Sequence, residues 1–257
     1  MTDQDNLKFL SAPAFLSKDE ELIAYKQNKG QGPTIIWCGG LKSDMDGSKA
    51  TYLHDWAMAK NANFIRFDYY GHGQSSGRFR DGTISRWGAD VVTVIDKLAE
   101  TDVVLIGSSM GGWSSLLATI ARPERVKGLV LIAPAPDFTE KLMWKNWPEE
   151  ARQAVINDGI YYEPSEYDEP YEYSRELIED GRGNQILDRP IPFAGPVRIL
   201  QGVIDPVVPW DYAFQVVGAL TTRNVTMTLI KDGDHSLSRP QDLKRLEASL
   251  SEVLNSI

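Results

Sequence analysis

The sequence predicts an α/β protein, with a mostly parallel central sheet, helices on both faces and a helical cap insertion. Three observations predict it. Short apolar runs alternate with segments of helical spacing along most of the chain. One run, Val103–Gly107, ends in Gly-Ser-Ser-Met-Gly-Gly and passes directly into a second apolar segment. One stretch, from about residue 136 to 192, breaks the alternation and carries no strand-like run.

The runs near Phe9 and over Glu21–Gln27 read as an antiparallel edge hairpin. Thr34–Cys38, TIIWC, is β-branched and aromatic and is flanked by glycines, which suits a buried strand. Asn63–Asp68, Val103–Gly107, Val126–Ala133, Val197–Gly202 and Val225–Ile230 follow as further strands. Between them, Trp87, Val91, Val94, Ile95 and Leu98 share one helical face. Trp113 opens a helix that Pro123 stops. Leu243, Leu246, Leu250, Val253 and Leu254 stripe a last helix over residues 241–257. The 136–192 stretch holds Trp144, Trp147, Tyr161, Tyr162, Tyr167, Tyr171 and Tyr173 among many acidic residues. So many aromatics are wrong for a disordered loop and point to a mostly helical cap over a pocket. No repeat or linker divides the chain, so residues 1–257 are expected to form one domain.

Composition narrows the function. A net charge of −9 argues against nucleic acid and anionic membrane surfaces as partners. No apolar run approaches the roughly 20 residues that span a bilayer. Cys38 is the one cysteine, so no intramolecular disulfide forms, which suits a reducing compartment. The acidic start, MTDQDNLKFLSAPAF, has neither the apolar core of a signal peptide nor the arginine pattern of a transit peptide. A cytoplasmic location is expected.

Gly107-Ser108-Ser109-Met110-Gly111 matches G-x-S-x-G between a strand and a helix, the setting of a nucleophile elbow. The central serine of such a turn sits in strained backbone and projects clear of the sheet, and glycines flank it because a Cβ there would collide with its neighbours. The helix N-terminus beneath it favours developing negative charge. A dinucleotide loop needs G-x-G-x-x-G, which GSSMGG does not fit.

A serine nucleophile needs a base, and the base needs an orienting acid. Of the three histidines, His235 lies in the loop after the last strand, as the chain order Ser…Asp…His requires. His54 reads as a surface or interface residue and His72 as a loop residue near the site. Asp205, in a turn after the strand before last, is the expected acid; Asp232 and Asp234 crowd the loop of His235 and are poorly placed to reach around to Nδ1. The expected oxyanion donors are the backbone N–H groups of Met110 and Leu41, with Gly40 beside the second. Trp113, Trp144 and Trp147 are candidates for an apolar acyl pocket, against ordinary packing. No metal or cofactor is expected.

The stretches FDYYGHGQSSG, GSSMGGW, ARPERVKGLVLIAP, QGVIDPVVPW and DGDHS resemble the α/β-hydrolase superfamily. GSKATYLHDWA, IARPERV and DPVVPW are similar, more closely, to the palmitoyl-protein thioesterase and mycophenolic acid acyl-glucuronide esterase family. The likeness runs from about Tyr25 to the end and is weakest in the insertion. It implies the α/β-hydrolase fold, with Ser109 as nucleophile, Asp205 as acid and His235 as base. It further implies hydrolysis of S-acyl thioesters or activated oxygen esters, carried by small molecules or acylated proteins. A carbon–carbon hydrolase with the same three residues, or a binding protein on this scaffold, are the alternatives.

Overall fold

The computed structural model describes residues 13–18, 21–164 and 170–257. Ten strands are described. β1 (Ala14–Lys18) and β2 (Glu21–Asn28) form the edge hairpin; β3 (Gln31–Cys38), β4 (Ala62–Phe67), β5 (Val103–Ser108) and β6 (Val126–Ile132) follow. β9 (Val197–Gly202) and β10 (Val225–Ile230) complete an eight-stranded sheet, in the order β1-β2-β4-β3-β5-β6-β9-β10. The first two strands are antiparallel to their neighbours and the other six run parallel. Phe9 and Tyr167 lie outside the described residues. The hairpin's first strand starts at Ala14.

Helices α1 (Ser48–Lys60) and α7 (Pro240–Leu254) cover one face of the sheet; α2 (Ile84–Leu98) and α3 (Met110–Ala121) cover the other. Alternate strand residues divide between the two layers. Ile35, Trp37, Val104 and Ile106 meet α1 and α7, whereas Ile36, Cys38, Val103 and Leu105 meet α2 and α3. Both faces are thus apolar, which is why the central strands read as continuous apolar runs. Thr83 caps α2 by accepting the Arg86 N–H, and Pro240 opens α7, where its missing N–H costs nothing. The short α6 (Ala213–Ala219) lies between β9 and β10.

The insert between β6 and β9 differs from expectation. It contains a π-helical turn (Thr139–Trp144), α4 (Glu149–Asp158), α5 (Arg175–Gly183) and, between the two helices, an antiparallel hairpin of β7 (Ile160–Glu163) and β8 (Tyr171–Ser174). Helical turns still make up most of its regular structure, but the stretch read as free of strands carries this hairpin. Each strand is four residues long, too short to show a period of two among acidic neighbours. Tyr161 pairs with Tyr173, and both rings pack on Trp147 at 5.4 and 5.5 Å between centroids. That aromatic cluster, rather than intrinsic strand preference, holds the hairpin.

The neck of the insert is clamped. Asp137, fully buried, accepts the N–H groups of Ile186 and Leu187 at 2.9 and 3.1 Å, tying entry to exit. Asp180 on α5 accepts the Ser85 N–H at 2.8 Å and so caps the start of α2 from outside. Among the described residues no helix is long and apolar enough to cross a membrane.

Candidate active site

Ser109 stands between β5 and α3 with φ 54° and ψ −118°, a conformation that costs a non-glycine residue strain. Neighbouring backbone leaves no alternative. A Cβ on Gly107 would collide with Gly111 and Gly112, and one on Gly111 would collide with the carbonyls of Cys38 and Gly39. The turn is as sharp as it is because α3 starts directly against the end of β3.

Asp205 lies in the turn after β9. Its Oδ1 accepts the N–H groups of Val207 and Val208 at 2.8 and 2.9 Å, so the residue is an Asx-turn former. Its other oxygen is thereby fixed in direction. His235 Nδ1–H donates to that Oδ2 at 2.7 Å, and Ser109 Oγ–H donates to His235 Nε2 at 3.1 Å. The tautomer follows from this chain, since the carboxylate can only accept. Asp232 instead pairs with Arg239 at 2.8 Å, and Asp234 accepts the Leu237 N–H at 2.8 Å within its own loop.

Sequence reasoning missed two supports of this chain. Gln201 on β9 is fully buried, and its Nε2 lies 3.1 Å from the carbonyls of Gly202 and Val208 and 3.4 Å from Asp205 Oδ2. A buried amide at the end of a strand was its one signal. Lys49, in the first turn of α1, donates to the Ser236 carbonyl and, at 3.3 Å, to Ser238 Oγ, fastening the histidine loop. Burial pushes its ammonium down to about 8, against the pull of Asp234 and Asp242.

Met110 begins α3, where backbone N–H groups have no intrahelical acceptor. Gly40 and Leu41 lie on the loop after β3; a Cβ on Gly40 would sit 3.5 Å from that of Ser109, so this loop runs alongside the serine. Cys38 is buried beneath the elbow, and burial pushes its thiol up to about 12, which keeps it protonated and unreactive. His54 is half-buried with its ring edge on Phe64. His72 is buried close behind the Leu41–Lys42 turn.

Ser109 and His235 open into a cavity of about 1600 Å³. One wall is apolar and comes largely from the insert: Phe138, Leu142, Met143, Trp147, Tyr171 and Tyr173. The loop after β3 and the start of α1 contribute a polar part of the lining, Lys42, Ser43, Asp44, Ser48 and Lys49, with the Lys42 ammonium 4.6 Å over the Tyr171 ring. Of the three tryptophans considered for the pocket, Trp147 lines it. Trp113 does not: it is fully buried in the layer under α3, and its indole N–H donates to the Asn184 carbonyl at 3.2 Å. Trp144 does not line it either, but stacks under the Arg182 guanidinium at 4.6 Å. Trp113 lies on the helix face that meets the neck of the insert, which its place after the elbow did not reveal.

A family model described as serine aminopeptidase, S33, matches residues 34–159. The chain is 34% identical over 254 residues to the human protein named palmitoyl-protein thioesterase ABHD10, mitochondrial, covering 98% of this chain and 81% of the relative. The chain belongs to the ABHD10 family. The solved structure of alpha/beta hydrolase domain-containing protein 10 from mouse superposes with a TM-score of 0.87 at 33% identity, over 95% of this chain and 99% of the other. A putative hydrolase from Agrobacterium vitis S4 superposes with a TM-score of 0.88 at 40% identity, over 94% and 97% of the two chains. The fold is that of the α/β hydrolases, and the ABHD10 likeness spans the insert as well as the sheet.

Proposed function

We propose that this protein is a serine hydrolase that cleaves carboxylic esters or S-acyl thioesters through an acyl-enzyme on Ser109. The observation that carries the reading is the continuous hydrogen-bonded chain from Ser109 Oγ through the His235 ring to Asp205, with spacings of 3.1 and 2.7 Å. His235 Nε2 takes the hydroxyl proton as Oγ attacks the acyl carbonyl. Asp205 holds the imidazole by its Nδ1–H and stabilises the imidazolium that forms. The N–H groups of Met110 and Leu41 receive the oxyanion. The imidazolium then protonates the departing thiol or alcohol. In the second half, His235 removes a proton from water, the resulting hydroxyl attacks the acyl-enzyme, and Ser109 regains its proton as the acid leaves.

The apolar and polar parts of the cavity lining orient the substrate. The acyl group lies on the apolar wall of the insert and the leaving group faces the polar lining of residues 42–49. The residues from about 136 to 192 then serve as a cap on a single hydrolase domain. Relatives named as palmitoyl-protein thioesterases favour an acylated protein or a small acyl thioester as substrate. The single cysteine favours a reducing compartment, and the mammalian relatives are mitochondrial by name; fractionation of the native cells tests which compartment holds the protein.

The direct test is labelling by a fluorophosphonate probe, with hydrolysis of p-nitrophenyl esters and acyl thioesters of increasing chain length. Labelling that disappears in Ser109→Ala is expected. A protein that is neither labelled nor active on any of these acyl donors overturns the reading.

A further inference from the structure

The loop after β3 is held from behind by residues at the end of β4 and in the glycine turn that follows. Asp68 Oδ1 accepts the Met45 N–H at 2.7 Å, and the Arg66 guanidinium donates to the Met45 carbonyl at 2.8 Å. These fix the far end of the loop. The near end, beside Ser109, is fixed by two other contacts. The Gly40 carbonyl accepts the Ser43 N–H at 3.2 Å and the Ser43 hydroxyl at 2.8 Å. In a trans peptide the N–H points opposite to the carbonyl, so this pair turns the Leu41 N–H away from Ser43. The next peptide is held by His72: the Lys42 N–H donates to its Nε2 at 3.0 Å. Both peptide planes that meet at the Leu41 Cα are therefore pinned. The second pin bears on a strained residue, since Lys42 has a φ of 57° without being glycine.

His72 is built as an acceptor. Its Nδ1–H donates to the Tyr70 carbonyl at 3.1 Å, which leaves Nε2 without a proton and free to receive one. Tyr69, Phe79 and Trp87 hem the ring in edge-on, at 5.8, 5.5 and 5.3 Å between centroids. Trp87 donates its indole N–H to the same Tyr70 carbonyl at 3.0 Å, fixing the acceptor that sets the tautomer. Burial, aided by the charge of Lys42, pushes the imidazole down to about 4, so the ring is neutral across the working range. With both nitrogens engaged and the ring buried, it is not a second base.

We infer that His72 is a positioning residue of the oxyanion hole: its neutral Nε2 pins the Lys42 N–H and thereby aims the Leu41 N–H at the carbonyl that Ser109 attacks. This rests on the hydrolase reading above, in which Leu41 is an oxyanion donor. Its effect is exerted on the transition state, because the carbonyl oxygen comes fully into the donors' reach only as it becomes an oxyanion.

The test compares His72→Phe, which keeps the aromatic packing and removes the acceptor, with His72→Gln, whose amide oxygen can stand where Nε2 stood. With p-nitrophenyl butyrate, His72→Phe is expected to lose roughly 10- to 100-fold in kcat, because full loss of one oxyanion donor costs about 10²–10³. KM is expected to change little. The inhibition constant of an alkyl trifluoromethyl ketone, which forms a tetrahedral adduct on the serine, is expected to rise with the fall in kcat/KM. His72→Gln is expected to recover most of the rate. A thermally intact His72→Phe with unchanged kcat, an effect confined to KM, or a Gln variant no better than Phe overturns the inference. Should the Phe variant not fold, nitrogen NMR of the wild type decides: a proton on Nδ1 and none on Nε2 supports it, and a proton on Nε2 overturns it. A wild type inert to esters and fluorophosphonates overturns the hydrolase reading itself, which an active wild type with an indifferent His72 does not.

Discussion

Ser109, Asp205 and His235 each sit within a few residues of the carboxyl end of a parallel strand, whereas in the insert Tyr161 and Tyr173 sit on four-residue strands of a separate two-stranded sheet and Trp147 sits in the bend before α4. In the platform, backbone geometry places the side chains. The Ser109 strain is enforced by glycines packed against β3, and Asp205 is oriented by the two N–H groups of its own turn. In the insert, side chains place the backbone: the hairpin exists where tyrosines find Trp147. The first arrangement tolerates little movement and suits bond-breaking. The second can be re-lined by exchanging aromatics and suits the choice of acyl group.

That contrast predicts large catalytic effects in the platform and mixed effects in the insert. Ser109→Ala is expected to lower kcat by on the order of 10⁶, measured with p-nitrophenyl butyrate. Asp205→Asn, which leaves the turn's two N–H contacts an acceptor but spoils the tautomer of His235, should cost about 10⁴ in kcat; a loss below tenfold would mean that another carboxylate serves as the acid. Trp147→Ala should destabilise the protein by about 3–5 kcal/mol in urea unfolding. It should also flatten the preference among acyl chain lengths while kcat on the shortest ester holds. Loss of activity on every chain length alike would erase the distinction between the two regions.

Smaller effects sharpen it. The buried His72 has its pKa lowered to about 4 from 6.5, so the unfolded chain binds a proton more readily than the folded one between those values. Stability is therefore full above about pH 6.5 and falls as pH drops towards 4, by up to about 3 kcal/mol from this group. The Lys42 charge facing the ring acts in the same direction. Denaturation midpoints of wild type and His72→Phe across that window should converge as pH falls; parallel curves would contradict it. Asp180→Ala removes the cap that the insert lends to α2 together with the Ser85 hydroxyl contact, and should cost about 1 kcal/mol with activity on short esters retained.

The legibility of the molecule follows the same division. The elbow could be read because its glycines answer to neighbours a few residues away and to a strand–helix junction that any such turn must make. His235 could be read because strand order limits which loop reaches the serine. The hairpin of the insert, the burial of Trp113 and the use made of His72 could not. Each depends on a partner contributed from elsewhere: Trp147 for Tyr173, Asn184 for Trp113, Lys42 for His72.

The amino-acid sequence by itself determined the alternation of strands and helices, the strained serine and the order in which serine, aspartate and histidine reach one edge of the sheet. These rest on local sterics and on hydrophobic period, which short stretches carry whole. The tertiary structure alone decided which aromatics wall the cavity and which imidazole stands behind the Leu41 turn. Those are contacts between segments far apart along the chain, and their geometry exists only once the layers have packed.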